Sequence, residues 1–215
     1  SMTTNGVHLE KSASDLKRAG LQRINISLAV LNQDKYHKIT GNNYFDSVWN
    51  GIQKAIACAL LPVKINVIPM RGINDDEILA FAKLSVDYPL VVRFIELFPT
   101  NTRSKMIMDS FIPNTKIKKI LTDYFGALIL KNSIQGNGPA RYYQIKDSSG
   151  SIGFISGTTE TFCGRCNRIR IDCAGNISPC LFSKNRYEIR TLLRTEKNDD
   201  TIEEYLKTIF EQKFL

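Results

Sequence analysis

The sequence has no long apolar run and no secretory signal. Its longest uncharged apolar stretch, from Ala55 to Val63, has nine residues and contains Pro62, whereas a membrane-spanning helix needs about 20. The opening SMTTNGVHLE has no charged segment followed by an apolar one, so the pattern of an export signal is missing. We therefore expect no membrane span and a cytoplasmic protein.

The five cysteines are odd in number and unevenly placed, which does not suit a disulfide framework. Four of them fall within the eighteen residues from Cys163 to Cys180, and the fifth, Cys58, stands apart. Small secreted domains have evenly paired cysteines instead. In a reducing cytosol, the clustering indicates a metal site, and Cys58 is interpreted as a core residue among apolar helix positions.

Positive charge is concentrated near the same cysteines. The chain has 215 residues, of which 43% are hydrophobic, and a formal net charge of +8. This is enough apolar material for a buried core in one or two domains. Residues 163 to 194 hold seven basic and two acidic residues, so they supply five of the eight excess positive charges. An anion-binding site is one interpretation, and a solvated basic face is the other.

Strand-like and helix-like segments alternate over the first hundred residues, as in β/α units around a parallel sheet. Strands are predicted at 23–28, 63–68 and 89–96, and helices at 43–60 and at about 74–85. Asn74 and Glu77 have the spacing of a capping box for the second helix. Three strands and two helices are too few to close an eight-stranded barrel, so the sequence predicts a partial TIM-type β/α barrel.

The character of the chain changes near residue 100, where we place a domain boundary. A predicted helix ends at Gly126, and β-like runs follow at 127–131, 141–146 and 151–156. Glycine and asparagine punctuate these runs, which favours antiparallel strands. A closing helix follows, with Thr201 and Glu204 as its capping box. The predicted fold class is therefore α/β, with a partial barrel over 1–100 and a smaller α+β region over 101–215 that contains the metal site.

The motif FCGRCNRIRIDCAGNISPCLF, at 162–182, contains the candidate metal ligands. Cys163 and Cys166 are two residues apart, so both thiolates can bind one metal centre, and Cys180 follows after thirteen more residues. Three thiolates on a four-iron cluster leave one iron without a protein ligand. Zinc normally takes a fourth ligand, which Cys173 could supply. The alternative for Cys173 is a small buried side chain at a strand end.

Two arginines follow the C-x-x-C pair on an extended segment. Arg168 and Arg170 are alternate residues, which places them on the same face of a strand. Two guanidinium groups on one face suit a polyphosphate. Zinc knuckles of nucleic-acid-binding proteins also carry arginines, so a zinc-stabilised nucleic-acid-binding module is the alternative function.

The cysteine motif and several other segments resemble the family of molybdenum cofactor biosynthesis protein A, a family of radical S-adenosylmethionine (SAM) enzymes. The other segments occur in family order: TTNG at 3–6, INISL at 24–28, VKINVIPMRGINDDE at 63–77, VRFIELFP at 92–99 and GPARYYQI at 138–145. The resemblance implies a two-cluster enzyme on a partial β/α barrel that converts GTP to 3′,8-cyclo-7,8-dihydro-GTP. It also implies that the protein is a homodimer. The implied ligand is GTP, and no binding to nucleic acid or to a membrane is expected.

The resemblance implies roles for individual residues. The implied ligands of the C-terminal [4Fe-4S] cluster are Cys163, Cys166 and Cys180. The implied GTP contacts are Thr3, Lys64, Arg93, Arg168 and Arg170, and the implied SAM contacts are Ser27 and Phe98. Lys64 and Arg93 lie on consecutive predicted strands, where barrel ligands gather. The alternative for each of these cations is an exposed or salt-bridged position.

The sequence departs from the family pattern where SAM is bound. No cysteine precedes Cys58, so the C-x-x-x-C-x-x-C of the first cluster is missing, and the chain ends QKFL rather than with Gly-Gly. The early strands with the glycine-rich SAM contact are also missing. Ala29 stands where the family usually has Asp, and Phe98 where a SAM-contacting Met is common. We therefore expect an N-terminally truncated chain, either a fragment of a full enzyme or the product of a decayed gene, that keeps the C-terminal cluster and GTP site, has impaired SAM binding and is inactive alone.

Overall fold

A computed structural model of the chain describes residues 1–98, 109–132, 134, 138–160, 163–166, 168–196 and 198–212. The chain forms two compact units, Ser1–Thr161 and Phe162–Leu215. Each unit has its own sheet and its own hydrophobic core. None of the helices in the described ranges combines the length and the apolar character needed to cross a membrane.

The first unit combines a seven-stranded sheet with α-helices. Its strands are β1 (Met2–Thr4), β2 (Ile24–Ser27), β3 (Val63–Val67), β4 (Leu90–Ile95), β5 (Ile129–Leu130), β6 (Arg141–Gln144) and β7 (Ser151–Ile155). Its helices are α1 (Leu9–Arg18), α2 (Gln33–Thr40), α3 (Phe45–Ala57), α4 (Ile78–Asp87) and α5 (Asn114–Phe125). The predicted strands and helices of this unit are confirmed with slightly different bounds, whereas β1, α1 and α2 were not predicted.

The sheet has the strand order β1-β2-β3-β4-β7-β6-β5. The pairs β1–β2, β2–β3, β3–β4 and β4–β7 are parallel, and the pairs β7–β6 and β6–β5 are antiparallel. The parallel part contains five strands rather than the three predicted from the sequence. This mixed α/β architecture is consistent with a fragment of a TIM-like barrel.

Strand β7 lies inside the sheet, which corrects the prediction of a purely antiparallel region after residue 100. It pairs in parallel with β4, in the register Val92 to Ile152 and Phe94 to Phe154. Every residue of β7 is buried, as is typical of a strand covered on both faces. Helix α5 lies between β4 and β7 in the chain, so these three elements form a further β/α unit, which β6 and β5 extend.

Asn74 does not cap a helix, so the first predicted capping box is wrong. Helix α4 begins only at Ile78, after a short 3-10 turn. The Asn74 side chain instead donates to the carbonyl oxygens of Ala29 and Ile68, at 2.7 and 3.0 Å, and accepts from the Met70 amide at 2.6 Å. It therefore ties the loop after β2 to the loop after β3.

Glu77 makes a second connection to the loop after β2. Its carboxylate accepts from the backbone amides of Leu31 and Asn32, at 2.7 and 3.2 Å. The Lys35 ammonium lies 3.7 Å from it. Both loops follow the carboxyl ends of parallel strands, where β/α proteins place their ligands, so these bonds fix the backbone at that edge of the sheet.

The second unit contains a three-stranded antiparallel sheet and two helices in its described part. Its strands are β8 (Arg170–Ile171), β9 (Asn176–Ser178) and β10 (Tyr187–Glu188), and its helices are α6 (Arg190–Thr195) and α7 (Asp199–Glu211). The predicted closing helix is α7. Its capping box is wrong, because Thr201 lies inside the helix and Asn198 is the N-cap, accepting from the Asp200 amide.

Candidate functional site

Polar side chains from neighbouring strands share one face of the parallel sheet. Thr3, Asn25 and Lys64 are register partners across β1, β2 and β3, and Asn66 pairs with Arg93 across β3 and β4. Register partners in a sheet project to the same side, as do alternate residues of one strand. We call these five residues the polar sheet face. The intervening residues of the same strands, such as Ile24 and Ile65, are fully buried in the core.

Amide oxygens on two strands hold the Arg93 guanidinium. Its Nε donates to Asn66 Oδ1 at 2.7 Å, and its Nη2 donates to Asn25 Oδ1 at 2.8 Å. The Asn25 amide in turn donates to the Met2 carbonyl oxygen at 3.2 Å and to Thr3 Oγ1 at 3.4 Å. A chain of hydrogen bonds therefore joins β1, β2, β3 and β4, and it sets the orientation of the guanidinium.

Lys64 is a buried cation beside Arg93. The residue is only 6% exposed, and its Nζ lies 5.5 Å from the centroid of the Tyr142 ring. The pKa of Lys64 is lowered from 10.5 to about 8. Burial is the largest cause, and the positive charges of Arg93 and Arg23 contribute less. Because burial and like charges both disfavour the ammonium form, a bound anion would relieve the two effects together.

Gly153 makes room for the side chains of Arg93 and Tyr142. It pairs with Arg93 on one side and with Tyr142 on the other. A Cβ atom at this position would lie 2.9 Å from Tyr142 Cε1 and 3.0 Å from Arg93 Cγ. Any larger residue would therefore displace the arginine stem or the tyrosine ring.

Glu96 is a fully buried carboxylate just beyond β4. Its Oε1 accepts from the Asn114 amide at 2.9 Å and from Thr159 Oγ1 at 2.6 Å, and its Oε2 accepts from the amides of Thr158 and Thr159 at 3.1 and 2.9 Å. These bonds join the end of β4, the start of α5 and the turn after β7. They fix the backbone shortly before the cysteine motif begins.

The residues assigned to SAM lie near the carboxyl ends of β2 and β4. Ser27 is the last residue of β2, is exposed and pairs with Asn66. Phe98 is half-buried and lies three residues beyond the end of β4. Both positions are compatible with a ligand at that edge of the sheet, and their role in SAM binding stays a prediction.

Arg168 and Arg170 are both exposed in the second unit. Arg170 begins β8 and pairs with Ser178. The motif continues into the β8–β9 hairpin, where Asp172 accepts from the amides of Ala174 and Asn176. The contact of the two arginines with GTP stays a prediction.

The candidate cluster ligands lie on two loops of the second unit. Cys163 is exposed and begins a 3-10 turn in which the Cys166 amide donates to its carbonyl oxygen at 3.0 Å. Cys180 follows β9, is half-buried and accepts from Ser178 Oγ at 2.9 Å through its carbonyl oxygen. Cys173 is exposed, so the prediction of a buried position for it is wrong, because it lies in the turn between β8 and β9 rather than in a strand. Cys58 is half-buried at the end of α3.

The sulfur atoms of the motif are not gathered into a ready metal site. Within the described residues, no group of three or more His, Cys, Asp or Glu side chains lies close enough to hold a metal ion. The chemistry of the donor set suits an iron–sulfur cluster, because three thiols follow one another within one small unit.

Sequence reasoning missed the residues that hold the two cations. Asn25 and Asn66 alternate with buried aliphatic residues in the segments INIS and VKINV. Such a period of two predicts one polar and one apolar strand face, and this was the available signal. No local pattern identifies Tyr142 or Gly153, because β6 and β7 reach this face only through long-range pairing.

Comparison with known proteins gives two family matches along the chain. Residues 1–85 match the Radical SAM superfamily, and residues 90–214 match Molybdenum Cofactor Synthesis C. The second match covers more than half of the chain. Neither match supports the alternative of a zinc-stabilised nucleic-acid-binding module.

Similar curated proteins are GTP 3′,8-cyclases. That of Desulforamulus reducens is 45% identical over 194 residues, which cover 90% of this chain and 60% of the relative. That of Heliobacterium modesticaldum is 39% identical over 212 residues, which cover 99% of this chain and 65% of the relative. The chain thus spans about 60% of the length of the curated relatives it matches. It belongs to the Molybdenum Cofactor Synthesis C family, that of molybdenum cofactor biosynthesis protein A.

Proposed function

We propose that this chain binds GTP through the polar sheet face, as part of a GTP 3′,8-cyclase of molybdenum cofactor biosynthesis. The observation that carries the proposal is the pair Lys64 and Arg93, two cations held side by side on one face of a parallel sheet. The similar proteins from Desulforamulus reducens and Heliobacterium modesticaldum bear the name GTP 3′,8-cyclase. Thr3, at the end of the same hydrogen-bonded chain, is the further GTP contact in this unit.

The triphosphate is the part of GTP that suits Lys64 and Arg93. Arginine presents a planar fork of donors that matches phosphate oxygens, while lysine contributes a compact charge. Phosphate oxygens would offset both the burial of Lys64 and its repulsion by Arg93. Electrostatic interactions are stronger at buried positions than in water, so a largely buried cation is a better anchor than an exposed one.

The cysteine motif is the second part of the proposal. Cys163, Cys166 and Cys180 would hold a [4Fe-4S] cluster. One of its four irons would have no protein ligand and could bind the substrate. Arg168 and Arg170 would contact GTP from the same motif. The proposed GTP contacts of the chain would bind and orient the nucleotide.

The remaining parts of the proposal concern the whole chain. Residues 1–100 would form the partial barrel, and residues 101–215 the region with the cysteine motif, a division that the family matches over residues 1–85 and 90–214 support. Ser27 and Phe98 would face SAM. We propose a cytoplasmic homodimer.

Equilibrium titration with GTP tests the proposed nucleotide site. Lys64→Ala and Arg93→Ala are each expected to weaken GTP binding about 10- to 100-fold, because each removes a charged hydrogen-bond donor worth roughly 1.5–3 kcal/mol. Lys119→Ala is the matched control, since Lys119 is exposed and pairs only locally with Asp123 on α5. Unchanged affinity in the Arg93→Ala protein, or no GTP binding by the wild type, would contradict the proposal.

The pH dependence of GTP affinity tests Lys64 separately. With a pKa of about 8, the ammonium is present below that pH and is lost as the pH rises through it. The affinity of the wild type relative to that of Lys64→Arg is therefore expected to be constant near pH 6.5 and to fall between about pH 7.5 and 9. Lys64→Arg keeps its charge over this range, so it controls for titration of the nucleotide. An equal fall in the wild type and in Lys64→Arg would exclude Lys64 as the titrating group.

A further inference from the structure

We propose that Asn25 and Asn66 are positioning residues that hold the Arg93 guanidinium ready for the phosphates of the nucleotide. This inference rests on the proposed function and adds residues to the same site. The juxtaposition is specific, because two donors of one guanidinium, Nε and Nη2, each meet an amide oxygen from a different strand, at 2.7 and 2.8 Å.

Two such bonds determine the plane of the guanidinium. A single hydrogen bond allows rotation about its axis, whereas bonds from Nε and Nη2 to acceptors on β2 and β3 fix both the plane and the direction of the remaining donors. An arginine side chain that is already ordered loses less conformational freedom when it binds an anion. Positioning of this kind raises affinity without any contact between the asparagines and the ligand.

The acceptors are amides, and this choice has an electrostatic consequence. A carboxylate in place of Asn66 would also accept from Nε, but it would cancel much of the arginine charge. An amide oxygen orients the guanidinium without adding a negative charge beside it. The structure therefore predicts that Asn66→Asp is more harmful to nucleotide binding than Asn66→Ala, although Asp keeps an acceptor at that position.

The positioning groups are themselves fixed by the strands. Asn25 donates to the Met2 carbonyl oxygen and to Thr3 Oγ1, and both asparagines lie within paired segments of the parallel sheet. Groups on strands hold their geometry better than groups on loops. Gly153 completes the arrangement, since it leaves space beside the Arg93 stem.

A double-mutant cycle on GTP affinity tests this inference. Asn66→Ala is expected to weaken binding about threefold to tenfold in the wild-type background, as the loss of one ordered side chain predicts. In an Arg93→Ala background it is expected to have no effect, because Asn66 acts only through the arginine. Asn50→Ala, on the exposed face of α3, is the matched control. Thermal unfolding of each variant shows that it is folded, and Asn25→Ala in the same cycle replaces Asn66→Ala if that variant unfolds.

The outcomes separate this inference from the function on which it rests. If Arg93→Ala binds GTP as tightly as the wild type, the nucleotide site itself is wrong. If Arg93→Ala weakens binding but Asn66→Ala has the same effect with and without Arg93, the proposed nucleotide site stands and the positioning role is wrong. Affinity of Asn66→Asp equal to or higher than that of Asn66→Ala would also overturn the positioning role.

Discussion

Anaerobic reconstitution with iron and sulfide is expected to load about four irons per chain, and Cys180→Ala is expected to abolish stable loading. The reason is that this variant leaves only the C-x-x-C pair, which cannot hold three corners of a cluster. Cys173→Ala is the matched control, because Cys173 lies in the same motif and is exposed in the hairpin turn. Iron and acid-labile sulfide are measured on the anaerobic protein, together with its absorbance.

Three results would contradict the cluster assignment. They are iron uptake by Cys180→Ala equal to that of the wild type, loss of iron in Cys173→Ala, and tight binding of zinc without iron. Loading is also expected to slow amide hydrogen exchange at 163–166 and 178–183, because ligation would restrain the two loops that carry the three cysteines.

Glu96→Ala is expected to lower the free energy of unfolding by roughly 3–5 kcal/mol, since it leaves several buried donors without an acceptor. The side chain is fully buried and accepts from three backbone amides and one hydroxyl, those of Asn114, Thr158 and Thr159. Urea denaturation, followed by circular dichroism, measures the change. The strength of the effect follows from the position of Glu96, where β4, α5 and the turn after β7 meet.

Two further variants define the role of the Glu96 carboxylate. Glu96→Gln keeps one acceptor oxygen but places an amide group against amide donors, so a loss smaller than that of Glu96→Ala is expected. Asp123→Ala, at an exposed position of α5, is expected to change stability by less than about 0.5 kcal/mol. If Glu96→Ala unfolds at the same urea concentration as Asp123→Ala, the carboxylate does not hold these elements together.

The sequence predicts much of the sheet and two of the residues that the structure places on the polar sheet face and that we propose as cationic nucleotide contacts. Strands β2, β3 and β4 are short apolar segments with clear boundaries, so their positions follow from local pattern. Lys64 and Arg93 stand out because each is a single cation in such a strand. Asn25 and Asn66 are less conspicuous, and their role depends on the register between strands, which the sequence does not determine locally.

Two of the incorrect predictions, the first capping box and the antiparallel placement of β7, share one physical cause. Asn74 and Glu77 have the spacing of a capping box. Their side chains instead bond to the backbone more than forty residues away, Asn74 to Ala29 and Glu77 to Leu31. Tertiary partners thus replace the local ones. Strand β7 follows the same rule, since its neighbour β4 is distant in the chain, and neither pattern nor punctuation identifies such a pairing.

The parallel pairing of β4 with β7 bears on how this polypeptide can be divided. The strand that completes the hydrogen bonding of β4 is synthesised some sixty residues later, as the pairing of Val91 with Ser151 shows. A fragment that stops before β7 would present a long unpaired edge, which invites association with other chains. A separately expressed fragment that carries the strands of the polar sheet face therefore has to retain the residues through Ile155, the end of β7.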